Sequence, residues 1–340
     1  MTQRKVLRRV LGLVFAGALL ALSSIPAFAA TTAPVTGTFS INSTPGTPVV
    51  TLTDASTTPY SNHVFTVQVT DADTIDDIQQ VVMKFWYDSN GGTPLESEFN
   101  SATASAANGA VVTWTKSGQS AVAPVLTPGS TTWSLVTYTV PTTLSDWQGT
   151  TFTWSFTIRV GKVATVTDAL SRWQIGAKAT DNATAYAFGY DATNAQMNWY
   201  GEISGPTGTL NWGTVAPGTA FNGTGSQKAL GQTVTLIANG PYDEKVSTVA
   251  SWPGASYTAT YDETGVTGSA QQFSLKSDDT ATYASSTLVT LAGSTIDDTG
   301  VQTTESGDTN STYNLWIKLA NSFSKDTYSG TITFVIATGS

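Results

Sequence analysis

Between Thr151 and Val160 every second residue is apolar: Phe152, Trp154, Phe156, Ile158 and Val160 alternate with Thr151, Thr153, Ser155, Thr157 and Arg159. A period of two places the five apolar side chains on one face of an extended strand and the polar set on the other. Shorter versions of the pattern occur at Phe65, Val67 and Val69, at Val234, Leu236 and Ala238, at Leu315, Ile317 and Leu319, and at Ile332, Phe334 and Ile336. One-sided strands pack sheet on sheet, and no window of a dozen residues carries a helical period. The expected fold is therefore all-β. Only Thr74 to Val82 reads as a short helical turn, started by Asp73 or Thr74 as its N-cap. A transmembrane β-barrel would also alternate, but it needs an unbroken outer apolar band that these short, Thr-flanked runs do not supply.

The chain opens differently. Arg4, Lys5, Arg8 and Arg9 precede an apolar run from Val10 to Leu22, and Ala27, Phe28 and Ala29 form an A-x-A cleavage signature. This is the pattern of a secretory signal peptide over residues 1–29, with an apolar run too short to span a bilayer. Residues 30–48 are rich in Thr and Pro and read as an extended N-terminal arm, because Pro34, Pro45 and Pro48 resist helix and interrupt a sheet ladder. Between Asn198 and Asn211 the alternation lapses into Gly201, Gly205, Pro206 and Gly208. That lapse divides the rest into two expected tandem antiparallel β-sandwich domains, 49–203 and 204–340, the first richer in aromatics.

Composition narrows the function classes. Thr and Ser make up about 28% of the chain and charged residues 11%. Once the four basic signal residues are removed, 11 basic residues face 24 acidic ones, a formal charge of −13. Nucleic acid is thus not an expected partner, since phosphate binding needs a clustered cationic face. No basic amphipathic segment points to an anionic membrane surface, and no membrane span is expected after signal cleavage. The chain has no cysteine, which leaves its stability to cores, ions or neighbouring subunits.

Candidate chemistry is sparse. His63 is the only histidine, so any Ser/His/Asp arrangement would have to use it, and most zinc chemistry is excluded. Asp71, Asp73, Asp76 and Asp77 form the densest acidic cluster, at the end of the Phe65–Val69 strand. Such carboxylates repel one another unless a cation such as Ca2+ lies among them. The order does not match an EF-hand loop, with Ile75 at position five and Asp76 where Gly belongs. The alternative is that Asp71 and Asp73 make Asx turns. Phe85, Trp86 and Tyr87 are consecutive, so in a strand at least one large ring points away from the core, where it either stacks on a sugar or anchors an interface, or is covered by a loop or the second domain. No carboxylate pair stands in a distinctive hydrolase motif, so no catalytic residue is assigned.

The segments Val67 to Ile78 (VQVTDADTIDDI), Trp173 to Asn182 (WQIGAKATDN), Asn211 to Gly218 (NWGTVAPG), Thr235 to Tyr242 (TLIANGPY) and Tyr328 to Ile336 (YSGTITFVI) resemble the immunoglobulin-like β-sandwich domains of prokaryotic cell-surface and surface-layer-type proteins. That resemblance implies an extracellular structural or adhesive role without catalysis. The sequence is accordingly expected to encode a secreted, non-enzymatic cell-surface structural protein, a subunit of a surface layer, filament or envelope-associated assembly. Its partners would be copies of itself or other surface proteins. The alternatives are a polysaccharide-binding or adhesive module that uses the exposed aromatics, and a secreted glycoside hydrolase.

Overall fold

The alternation at Thr151–Val160 appears directly in the structure, a computed structural model that describes residues 42–339 apart from positions 55, 207–208, 219, 222–227, 266–267 and 310. Trp154, Phe156 and Ile158 are fully buried, whereas Thr151 and Thr153 are exposed. The expected signal peptide and the arm as far as Ile41 lie outside the described residues. The fold is all-β, with twenty-one strands and only short helical pieces among the described residues. No helix in that set is long and apolar enough to cross a membrane.

The first half contains β1 (Val49–Leu52), β2 (Ser56–Thr57), β3 (Asn62–Thr70), β4 (Ile78–Asp88), β5 (Gly109–Thr115), β6 (Val125–Thr127), β7 (Ser134–Thr139), β8 (Thr151–Arg159), β9 (Arg172–Asp181) and β10 (Tyr186–Met197). They form two sheets, ordered β1-β3-β8-β7 and β2-β10-β9-β4-β5-β6. The sheets meet across one core, where Phe65 of β3 lies 5.2 Å from Phe85 of β4 and Trp114, Trp154 and Trp173 are fully buried. Two helices too short to show a helical period complete this half: α1 (Glu96–Ser101) and α2 (Leu144–Gln148). Thr143 caps α2, its hydroxyl accepting from the Asp146 amide.

The helical turn expected over Thr74 to Val82 shrinks to a single 3-10 turn at Ile75–Asp77. β4 begins at Ile78 because pairing with β9 buries Ile78, Val81, Met83 and Phe85. Tertiary pairing here overrides a local signal.

In the second half lie β11 (Gly201–Ser204), β12 (Lys228–Thr233), β13 (Thr235–Ala238), β14 (Tyr242–Thr248), β15 (Ser251–Pro253), β16 (Thr258–Tyr261), β17 (Gln272–Asp278), β18 (Thr287–Leu288), β19 (Ser294–Gly300), β20 (Thr312–Leu319) and β21 (Ile332–Thr338). One sheet runs β12-β20-β17-β16-β15 with β18 on β17, a second runs β19-β14-β21, and β11 pairs with β13. A second core gathers Leu236, Val246, Trp252, Phe273, Tyr313 and Leu315.

The change of core falls between Met197, which belongs to the first, and Trp199, which packs against the second. β11 therefore sits with the second half, although the Gly-rich lapse had placed most of it in the first. Asn239 bridges this junction and is fully buried. Its Nδ2 donates to the carbonyls of Ala164 (2.8 Å) and Asn198 (2.9 Å), and its Oδ1 accepts from the Tyr200 amide at 2.7 Å. Its own carbonyl accepts from the Val166 amide at 3.0 Å. Gln302 of the second half donates to the Val163 carbonyl at 2.6 Å, and Lys162 pairs with Glu202 at 2.5 Å.

The last residues of the expected arm are packed rather than free. The Gly46 amide donates to the Thr70 carbonyl at 2.8 Å, and Pro45 and Pro48 are buried. Pro48 runs so close to Gly189 that a Cβ there would stand 1.9 Å from the Pro48 carbonyl oxygen. Burial of two prolines fixes the chain from Ser43 onward.

Candidate metal centre

β3 ends at Thr70, and the next seven residues turn sharply before β4. The turn is pinned to the loop before β8 by the Asp71 amide on the Thr150 carbonyl (2.9 Å) and the Ile75 amide on the Gly149 carbonyl (2.8 Å). Thr74 adopts φ 80°, a left-handed conformation unusual for a β-branched residue. This backbone brings three of the four predicted carboxylates together: one oxygen from each of Asp71, Asp73 and Asp77 lies within 4.8 Å of the others.

Asp76 does not join them. The 3-10 turn swings it outward to an ion pair with Lys116 at 3.0 Å, and Lys116 also donates to the Asp76 carbonyl. Residues adjacent on a 3-10 turn point about a third of a revolution apart, so Asp76 and Asp77 diverge.

Each of the three converging carboxylates has one oxygen engaged by the protein. Asp71 Oδ1 accepts from the Asp73 amide at 2.8 Å, which is the Asx turn the sequence allows. Asp73 Oδ2 accepts from the Ser43 hydroxyl at 2.8 Å and from the Ser43 amide at 2.5 Å. Asp77 Oδ1 accepts from Asn182 Nδ2 at 3.0 Å. Burial pushes the Asp71 pKa up, and the carboxylates of Asp77, Asp73 and Asp181 add to the effect against the pull of the Asp73 amide. The Ser43 hydrogen bonds hold Asp73 below the usual carboxylate value. Ser43 and Asn182 carry no signal of their own in the sequence, because each is remote in the chain from the acids it serves.

The other predicted residues separate from this centre. His63 is buried at the start of β3, with Nδ1 3.2 Å from Asp54 Oδ2 and Nε2 accepting from the Thr58 amide at 3.2 Å. Both ring nitrogens are taken up in folding the 54–58 loop, and neither is left to activate a hydroxyl. Phe85 faces the core, fully buried. Trp86 does point away from that core, as adjacent strand residues must, but it is not exposed: Phe99 of α1 packs on it at 6.1 Å, leaving 5% of its surface accessible. Tyr87 is half-buried against Trp173. Trp86 is therefore covered rather than displayed, the alternative the sequence leaves open, with α1 as the cover, while Phe85 and Tyr87 turn to the core side.

Beside them lies a shallow cleft of about 390 Å³ lined by Tyr87, Asp88, Glu98, Thr103 and Asn108 along with the edge of Trp86. Asp88 Oδ2 accepts from Gln174 at 2.7 Å, and Glu98 folds back to the Leu95 amide at 3.0 Å. The carboxyls that burial perturbs upward, Asp71, Glu244 and Asp279, line other parts of the molecule.

No protein-family model matches this chain, and no curated protein matches it.

Proposed function

We propose that this protein is a non-enzymatic, exported structural subunit of a cell-surface layer, filament or envelope-associated assembly, built from two tandem immunoglobulin-like β-sandwiches. The observation that carries the reading is the junction at Asn239. A buried side chain that satisfies backbone groups on both sides makes the two cores one stiff body, which suits a component that must hold position in an array. The Thr- and Ser-rich outer faces of the strands and the export signal read from the sequence agree with it. Assembly would proceed through the arm, whose larger apolar residues in the sequence are Val35, Phe39 and Ile41, by donation of a strand to a sheet edge of a neighbouring copy.

Because Ser43–Pro48 is packed on its own fold, the test removes residues 30–41 only. The protein beginning at Ala30 is expected to form ordered polymers in sizing chromatography and negative-stain microscopy, and the truncated protein to remain a folded monomer. Undiminished polymerisation of the truncated form would refute strand donation. A wild-type protein that stays monomeric at every concentration would refute the structural role. The cleft beside Tyr87 supports a competing reading, recognition of a polysaccharide through Asp88, Glu98 and Asn108. Retention of the monomer on insoluble polysaccharide, lost in Asn108→Ala, would favour that reading instead.

A further inference from the structure

We propose that Asp71, Asp73 and Asp77 bind a divalent cation, Ca2+ in preference to Mg2+, and that the ion fastens the root of the N-terminal arm to the end of β3. Clustered carboxylates alone do not establish such a site. The deciding observation is that Asp71 is 2% exposed and its Oδ2 is buried without a hydrogen-bond partner. Asp77 repeats the arrangement, with Oδ1 held by Asn182 and Oδ2 buried and unpartnered. Buried polar atoms in folded proteins almost always find partners, and a buried anionic oxygen without one is especially unfavourable. Both oxygens belong to carboxylates that converge with that of Asp73, an arrangement that a cation would satisfy.

The ligand chemistry selects the ion. The cluster offers only carboxylate oxygens, the donors preferred by hard cations, and no imidazole or thiolate for zinc. Ca2+ takes six to eight oxygens in flexible geometry, whereas Mg2+ demands a near-ideal octahedron and dehydrates reluctantly, so three carboxylates on an irregular turn suit Ca2+ better. Bidentate carboxylates and water complete the six to eight oxygens that Ca2+ takes. The hydrogen bonds already made by Ser43, Asn182 and the Asp73 amide hold the three side chains in place before the ion arrives, as supporting partners do in metal sites. One of those partners is Ser43, the residue at which the packed chain begins. This inference stands apart from the proposed assembly role, since a monomer would bind the ion equally well.

The experiment uses the protein from Ala30 to Ser340, stripped with EDTA and then titrated with CaCl2 and with MgCl2 by calorimetry and thermal unfolding. Calcium is expected to release or absorb heat with one-site stoichiometry and to raise the melting temperature, with magnesium weaker. Asp71→Asn and Asp77→Asn are each expected to weaken calcium at least about 10-fold, while Asp76→Asn, outside the cluster, keeps wild-type affinity. If Asp71→Asn fails to fold, Asp77→Asn carries the comparison. Amide exchange at Gly46, which bonds Thr70, should slow when calcium is present. Absence of heat and of a melting shift at millimolar calcium overturns the site. Loss of binding in Asp76→Asn but not in Asp77→Asn overturns the ligand assignment, and unchanged Gly46 exchange in the calcium-bound protein overturns the fastening.

Discussion

Replacing Asn239 by alanine isolates the junction. The substitution removes two donations and one acceptance in a single step: Nδ2 to Ala164 O at 2.8 Å, Nδ2 to Asn198 O at 2.9 Å, and Tyr200 N–H to Oδ1 at 2.7 Å. Each orphaned backbone group costs about 1–3 kcal/mol when buried and less where water can reach it. The Ala164 bond is buried and the other two are partly buried, so the expected loss is about 3–5 kcal/mol. Against a typical total of about 5–15 kcal/mol this is a large fraction. The loss falls on the contact between the cores rather than within either one, so cooperativity should change as well. Six of the ten tryptophans lie in the first half, Trp199 packing on the second core, so tryptophan fluorescence follows the first half more than the second, while far-ultraviolet circular dichroism follows both. In urea, the two signals are expected to coincide for the wild type and to separate for Asn239→Ala. Asn239→Asp, which keeps an acceptor for Tyr200 but buries a charge and loses both donations, should be worse still. A loss below about 1 kcal/mol in the alanine variant, with both probes still coincident, would refute the claim that this side chain couples the halves.

Two further outcomes follow from buried side chains. Glu244 is 3% exposed, and burial raises its pKa above the usual 4.5 despite a hydrogen bond from Ser311. The folded state then binds a proton that the unfolded state has released, so stability should fall as pH rises from 4.5 through the folded-state value. Urea midpoints measured across that range should decline less in Glu244→Gln than in the wild type; an identical slope would assign the pH dependence elsewhere. Trp86→Ala opens a cavity under Phe99 and should cost about 3–5 kcal/mol, read as a lower melting temperature. An unchanged melt combined with lost polysaccharide retention would restore the exposed-platform reading.

The strands were legible in the sequence where burial is one-sided. At Trp154, Phe156 and Ile158 a period of two coincides with complete burial, and no other element produces that pattern. Trp86 was not legible, because its cover comes from α1, a helix of only six residues whose Phe99 packs on the Trp86 ring. The acidic cluster was legible as composition but not as geometry. Four aspartates lie within seven positions, yet a single 3-10 turn and Lys116, some forty residues away, decide that Asp76 leaves the group. Asn239 shows the limit most sharply. In the run TLIANGPY it looks like an ordinary turn residue, and its role exists only because Ala164 and Asn198 arrive from distant parts of the chain.

The irregular stretch between β8 and β9 changes what a loop means in this protein. Connections are normally where chains tolerate inserted tags, epitopes or extra residues. Here Val163, Ala164 and Val166 are each spoken for by Gln302 or Asn239 from the other half, and Trp173 donates to the Thr165 carbonyl at 2.8 Å. An insertion at this point would disturb both halves at once, so this connection should vary in length no more freely than a core strand.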